Sequence, residues 1–298
     1  TWLLWGLWNA FPTEAAAPPT APPIGSANLM RDNAFQGKRV LVTGATSGIG
    51  RATAERFLEL GAHVVFSGRN IQVLEEIKTM YASTARVETV CADLSNADEC
   101  KTLVASACKL LGGQIDILVN NAGVLLRLGM SIDSTTPEEY ALTMDVNLRA
   151  PFLILQESVK HMPSGSAVVN VGSLAAVRPL ANLTVYSMSK AALEALTKCA
   201  ALELAPKGIR VNAINPATVI TDIHRRAGMQ EEAYQRYLID NNAMHPLGRP
   251  GQPSDCSALI TYLASDACSW MTGQCIALDG GRSLCVPAAK DLTAPTKT

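Results

Sequence analysis

The sequence predicts an α/β fold: a doubly wound parallel β-sheet flanked by helices, in a single domain. Three observations predict it. Short, fully apolar runs alternate with helical stretches from about Phe35 to Ser283, the pattern of a parallel sheet covered on both faces. The chain is 48% hydrophobic but only 5% aromatic, and small apolar side chains let helices lie close on a sheet. The first apolar run ends in a glycine-rich turn that opens directly into a helical pattern, Thr43-Gly44-Ala45-Thr46-Ser47-Gly48-Ile49-Gly50.

Taken in order, KRVLVTG (38–44) is the first strand. Ile49, Ala52, Arg56 and Leu60 then follow helical spacing, and Gly61 stops that helix. HVVFSG (63–68) is the second strand, followed by an amphipathic stretch over 71–81. VETVCADL (87–94), DILVNNAG (116–123), SAVVNVGS (166–173) and IRVNAINP (209–216) continue the strands. Helical stretches lie between them, at 98–111, 137–161 and 187–205 among others, and CIALDGG (275–281) is the last strand. The sequence has no internal repeat.

Composition excludes several function classes. The apolar content is too high and the net charge too small for a disordered chain. There are 25 basic against 26 acidic residues, so no basic excess points to nucleic acid. No apolar run reaches the roughly 18 residues that span a bilayer. Eight cysteines include no C-x-x-C pair and most sit among apolar residues, as Cys199 does, so buried reduced thiols are expected. The four histidines are scattered, and no metal site is expected.

Residues 1–34 differ from the rest: TWLLWGLW is followed by the Pro/Ala-rich EAAAPPTAPPIG. This leader is expected to lie outside the fold, with the domain over 35–285 and a polar tail over 286–298. It lacks the charged start of a secretory signal, and the tail carries no SKL or KDEL ending. A cytoplasmic location is expected, with mitochondrial or other targeting by the leader as the alternative.

The glycine turn is the first chemical signal. Glycines permit a tight turn and close approach of backbone to a pyrophosphate, and the helix that follows presents free N–H groups to the anion. The spacing is G-x-x-x-G-x-G, and with the motifs that follow it resembles the short-chain dehydrogenase/reductase family, whose fold is Rossmann-type. Asn120-Asn121-Ala122-Gly123 after the fourth strand matches the family's N-N-A-G. Asn147 matches its active-site asparagine. Ser173 ends the fifth strand, and Tyr186-Ser-Met-Ser-Lys190 matches Y-x-x-x-K thirteen residues later. The resemblance covers essentially the whole core. The stretch from PLGRPGQPSD through LDGGRS further resembles animal 3-oxoacyl-carrier-protein reductase-like and carbonyl reductase members.

The resemblance implies an oxidoreductase that uses a nicotinamide cofactor. Asn147, Ser173, Tyr186 and Lys190 are the catalytic candidates. Tyr186 and Lys190 are four apart on a helix and share one face. A neighbouring ammonium favours ionised tyrosine, so the Tyr186 pKa is expected to fall. Tyr186 then passes a proton to or from a carbonyl oxygen, and Ser173 hydrogen-bonds the same oxygen. The resemblance gives Lys190 the nicotinamide ribose and Asn147 a water that links the lysine to solvent. Cofactor contacts are expected from Gly44, Thr46, Ser47, Gly48, Ile49, Gly50, Asp93, Leu94, Asn121, Ala122, Gly123, Pro216, Val219 and Thr221, beside Tyr186 and Lys190.

The second strand ends at Gly68 without an acid, and Arg69 and Asn70 follow. A carboxylate there would hold ribose hydroxyls, whereas an arginine pairs with a 2′-phosphate. NADP(H) is therefore favoured over NAD(H), although Ser47 stands where many NADP-binding relatives carry a second basic residue. Arg69 as a solvated surface charge is the plainer alternative. Ala217 replaces the common glycine after Pro216, as in the family's dicarbonyl/xylulose reductases. Residues near 220–247 correspond to the family's substrate lid. The resemblance also implies a homotetramer or homodimer formed through the helices around 137–161 and 187–205 and through the last strand. Two rival readings are an NAD(H)-linked alcohol, sugar or steroid dehydrogenase, and a catalytically silent scaffold on the same fold.

Overall fold

Seven strands form one sheet: β1 (Arg39–Val42), β2 (His63–Gly68), β3 (Val87–Cys91), β4 (Ile117–Asn120), β5 (Ala167–Val171), β6 (Arg210–Pro216) and β7 (Cys275–Leu278). Their order is β3-β2-β1-β4-β5-β6-β7, and every neighbouring pair is parallel. The computed structural model describes residues 33–84 and 86–285. The expected leader, apart from Asn33 and Ala34, and the tail at 286–298 lie outside the described residues.

The strand order determines where a ligand can bind. The chain runs outward from β1 to β3, then crosses back to place β4 on the other side of β1. The loops after β1 and β4 therefore diverge and leave a crevice at the carboxyl ends of the strands. Those are the loops that carry the glycine turn and Asn121-Ala122-Gly123.

Successive strand residues face opposite layers. Val40, Val42, Val64, Phe66 and Val119 pack with Phe57 of α1 (Gly48–Glu59) and Ile260 and Leu263 of α9 (Pro253–Ala264). Leu41, Val65, Leu118 and Val168 pack with Leu103 of α3 (Ala97–Leu110), Ile154 of α5 (Ala150–Ser158) and Leu204 of α6 (Thr184–Leu204). The fully apolar strands thus record burial on both faces.

Three helical readings need correction. The stretch 137–161 is not one helix. It divides into α4 (Pro137–Met144), a π-helical turn over Asp145–Arg149, and α5. Pro151 has no N–H to donate to the carbonyl of Asn147, which interrupts the α-helical ladder at this turn. The region near 220–247 expected to form the lid holds two helices, α7 (Ile223–Arg226) and α8 (Glu231–Met244), with Gly228 at φ +92° in the break. Helix α9 was not among the expected stretches. Its start is set by Pro253 in the first turn and by Asp255, which accepts from the Gln252 amide at 2.7 Å. The remaining helix, α2 (Ile71–Met80), follows the predicted span.

The cysteine expectation holds in part. All eight are free; Cys100, Cys108, Cys256 and Cys268 are buried, but Cys91 and Cys199 are exposed. Cys199 lies on the outer face of α6, where the helical repeat carries it away from the sheet.

Candidate active site

The glycine turn is held by the loop after β4. Thr43 Oγ1 accepts from the amides of Asn121 at 3.0 Å and Ala122 at 3.1 Å. The Asn121 amide group donates back to the carbonyls of Thr43 at 2.8 Å and Gly44 at 3.1 Å. Gly44 lies at φ +65°, where a side chain would be strained. A Cβ on Gly50 would collide with the Asn121 amide group and the Gly44 carbonyl. The two motifs, distant in sequence, are one braced structure at the fork of the sheet.

Gly68 has a comparable steric requirement. A Cβ there would stand 2.6 Å from Thr46 Cγ2. The space that a side chain at position 68 would take is therefore filled by Thr46. Arg69 and Asn70 follow at the rim. Asn70 caps α2, its side chain accepting from the Val73 amide at 3.1 Å. Asp93, just beyond β3, accepts from the Ser95 amide at 3.0 Å and its hydroxyl at 2.9 Å. These bonds hold its carboxyl below the usual range.

The four predicted catalytic residues come together from three elements. Tyr186 stands in the first turn of α6, half-buried, and the Ser173 hydroxyl hydrogen-bonds its phenol. Ser173 follows β5, and its Oγ also accepts from the Ala175 amide at 3.1 Å, which orients it. Lys190 Nζ is buried, 5.9 Å from the Tyr186 ring centroid, and donates to the Val171 carbonyl at 2.9 Å. Burial pushes the Lys190 ammonium down to about 8. Asn147, fully buried in the π-turn, accepts from the Val124 amide at 2.7 Å. It donates to the Val124 carbonyl at 3.0 Å and to Ser189 Oγ at 3.1 Å. Ser189 Oγ in turn donates to the Tyr186 carbonyl at 2.7 Å. Gly123 leaves the room here: a Cβ on it would meet Lys190 Nζ at 3.3 Å and Asn147 Oδ1 at 3.4 Å.

One electrostatic expectation is corrected. The Tyr186 pKa is raised, not lowered, because burial outweighs the lowering effect of the Ser173 hydrogen bond. Tyr237 adds to the rise. The Lys190 ammonium is directed to Val171 and is itself weakened by burial, so its field does not reverse the desolvation.

A cleft of about 960 Å³ joins these parts. Its lining includes Gly44, Thr46, Ser47, Gly48, Ile49, Arg69, Asn70, Asp93, Leu94, Asn121, Ala122 and Gly123. Ser173, Tyr186, Lys190, Pro216, Val219 and Thr221 line it further along. Gly50 and Asn147 stand behind the wall. Gly50 packs against the brace, and Asn147 is hydrogen-bonded to Val124 and Ser189.

The sequence did not single out the cleft's further cations. Arg178, Arg226 and Arg282 line it beside Arg69. None of the four forms an ion pair with a carboxylate among the described residues. Two acids, Asp93 and Asp222, lie in the same lining. Arg282 donates to Thr218 Oγ1 and Asn241 Oδ1, both at 2.7 Å. Arg178 donates to the carbonyls of Arg282 and Cys285, both at 2.5 Å, holding the end of the described chain over the cleft. His224 lies in the lining, its ring 4.7 Å from that of Tyr237, and burial and then Arg282 lower its pKa. Long-range pairings of this kind leave no local sequence pattern. Among the described residues there is no group of three or more His, Cys, Asp or Glu able to hold a metal ion.

Comparison with known proteins matches this geometry. The sequence pattern of a family described as enoyl-(acyl carrier protein) reductase fits residues 44–283. The chain is 36% identical over 261 residues to dehydrogenase/reductase SDR family member 4 of Homo sapiens, covering 87% of this chain and 92% of that protein. A short-chain dehydrogenase/reductase of unknown function from Caenorhabditis elegans, solved with cofactor, superposes with a TM-score of 0.81 at 32% identity. That match covers 85% of this chain and 98% of the other. A short-chain dehydrogenase from Burkholderia cenocepacia in complex with NADP gives a TM-score of 0.76 at 30% identity, covering 84% of this chain and all of the other.

Proposed function

The chain belongs to the short-chain dehydrogenase/reductase family, oxidoreductases that act on CH–OH or C=O groups with NAD(P), and from that premise we propose that it reduces a carbonyl to an alcohol with NADP(H). The observation that carries this reading is the Ser173–Tyr186 pair on the wall of a cleft whose lining also holds Arg69, Arg178, Arg226 and Arg282, none with a carboxylate partner among the described residues.

The residues present fit a dinucleotide. Gly44 and Gly50 let the turn pack against Asn121 where a Cβ would collide, and the turn so braced lines the cleft at the start of α1. Arg69 supplies a cation at the rim where Thr46 fills the space an acid would need, which favours a 2′-phosphate over ribose hydroxyls. The cofactor, when bound, supplies the hydride.

The protein's own residues position the substrate and move the proton. The raised Tyr186 pKa keeps the phenol protonated through neutral pH, so it is ready to donate to the carbonyl oxygen. The Ser173 hydroxyl donates to the same oxygen and stabilises its developing charge. Lys190 lies along the same helix face and keeps a positive charge close to the phenolate left behind. Asn147 positions that helix through Ser189 and the Val124 loop. Helices α7 and α8 form the substrate lid, with Tyr237 and His224 facing the substrate end.

We place the protein in a homo-oligomer. Support comes from Phe152 on α5 and Leu202 on α6, both exposed apolar side chains on the helices expected to pair. Light scattering on the purified chain reads its mass directly. Among the described residues no helix is long and apolar enough to cross a membrane.

The deciding experiment measures NADPH and NADH oxidation with a panel of ketones, diketones and quinones. Carbonyl-dependent oxidation, faster with NADPH, is expected. Tyr186→Phe should lose roughly 10²–10⁴-fold in turnover. Equal turnover by that variant would overturn the assignment of the proton donor.

A further inference from the structure

We propose that Arg226 is a phosphate-binding residue: α7 delivers its guanidinium to the glycine turn, where it grips a phosphate of the bound dinucleotide. This rests on the dinucleotide reading above.

The contact joins residues remote in sequence. Arg226 Nη2 donates to Ser47 Oγ at 2.9 Å. Ser47 stands at the N-cap of α1, yet its side chain makes no capping bond to that helix. Its hydroxyl instead faces the guanidinium. The backbone brings the two segments close: a Cβ on Gly48 would meet Thr221 Cγ2 at 3.1 Å. Thr221 and Arg226 therefore both lie against the glycine turn, at Gly48 and Ser47.

The neighbouring arginine shows what Arg226 is not doing. Arg225 is neutralised by Glu231 at 2.6 and 2.9 Å and by Asp222 at 3.1 Å, and its Cζ lies 3.9 Å over the Tyr234 ring. It holds α7 and α8 together. Arg226 has no carboxylate partner among the described residues and donates to a neutral hydroxyl. A guanidinium has five donors in a planar fork, and one hydroxyl occupies a single donor. Such a cation beside a phosphate-cradling turn is matched by an anion with several acceptor oxygens. The basic group absent at position 47 is thereby supplied from position 226.

The consequence is a link between cofactor and lid. A phosphate held by both the turn and Arg226 favours the conformation in which α7 lies over the cleft, so cofactor binding orders the wall against which the carbonyl substrate packs.

The test titrates NADPH and NADH into the wild-type protein, Arg226→Ala, Arg226→Lys and Arg236→Ala by fluorescence, with no carbonyl substrate present. Arg236 is an exposed cation on α8 and controls for loss of charge alone. Arg226→Ala should bind NADPH about tenfold more weakly, the scale of one charge-assisted contact. Arg226→Lys should recover part of the loss, and Arg236→Ala should bind as the wild type does. A greater loss for NADPH than for NADH assigns the 2′-phosphate; an equal loss assigns the pyrophosphate. Unchanged affinity of Arg226→Ala for both dinucleotides would overturn the proposal. Tighter NADH than NADPH binding by the wild type would reverse the NADP(H) preference and leave Arg226 standing if its removal weakens NADH. Binding of neither dinucleotide by the wild type would overturn both. Thermal melts of each variant verify that this exposed position leaves the fold intact.

Discussion

Lys190 Nζ donates to the carbonyl oxygen of Val171 at 2.9 Å, which ties α6 to the end of β5. One backbone oxygen is little compensation for an ammonium removed from water. The pKa of Lys190 accordingly falls from the ordinary 10.5 to about 8.

That shift has a definite sign in stability. Between pH 8 and 10.5 the unfolded chain keeps the Lys190 proton and the folded chain has released it, so this group makes the fold more stable as pH rises. Below about pH 8 the full cost of burying the charge is present. Urea unfolding of wild type and Lys190→Met from pH 7 to 10 should show the wild type gaining on the variant by roughly 1 kcal/mol per pH unit above 8. A constant difference across that range would mean that the ammonium is not desolvated.

Asn147 makes a different demand. Its removal leaves the part-buried Val124 amide without its acceptor and Ser189 Oγ without its donor. Asn147→Ala should cost about 1–3 kcal/mol in unfolding free energy, and turnover should fall as Ser189 and α6 shift. Ser189→Ala loses a smaller part of the network and should cost less. Equal stability of Asn147→Ala and wild type would place the Val124 loop outside the folded network.

Cofactor preference cannot be switched by charge alone at position 68. Gly68→Asp forces a side chain against Thr46, an overpacking cost of about 1–3 kcal/mol. The single variant should bind both dinucleotides poorly. Gly68→Asp with Thr46→Gly should recover NADH binding and not NADPH binding. Strong NADH binding by the single variant would show that Thr46 yields readily.

Arg178 fastens the end of the described chain across the cleft through the carbonyls of Arg282 and Cys285. Arg178→Ala should release that segment. Trypsin should then cleave after Arg282 roughly tenfold faster, and KM for the carbonyl should rise. Unchanged cleavage would mean that Thr218 and Asn241 hold Arg282 without help.

Much of the site was legible beforehand because its signals are local. Tyr186 and Lys190 share a helix face by spacing alone, and the turn from Thr43 to Gly50 carries its own conformational requirements. The break at Asp145–Arg149 was not legible: it depends on the missing amide of Pro151, and a periodic pattern over 137–161 conceals it. The direction of the Tyr186 shift was misread for a related reason. Spacing shows which charge is near, but desolvation depends on every element that covers the ring.

The sequence by itself determined the alternation of strands and helices and the glycine turn, which follow from apolar period and local turn chemistry. Ser173, Tyr186 and Lys190 were picked out by the resemblance to the short-chain family, with helical spacing adding only that Tyr186 and Lys190 share one face. The tertiary structure decided what surrounds them: Asn121 bracing Thr43 and Gly44, Thr46 filling the space beside Gly68, and Arg226 reaching Ser47. Each of those contacts joins separate segments at the carboxyl ends of the strands. Such pairs are fixed by strand order and loop path, which no local pattern encodes.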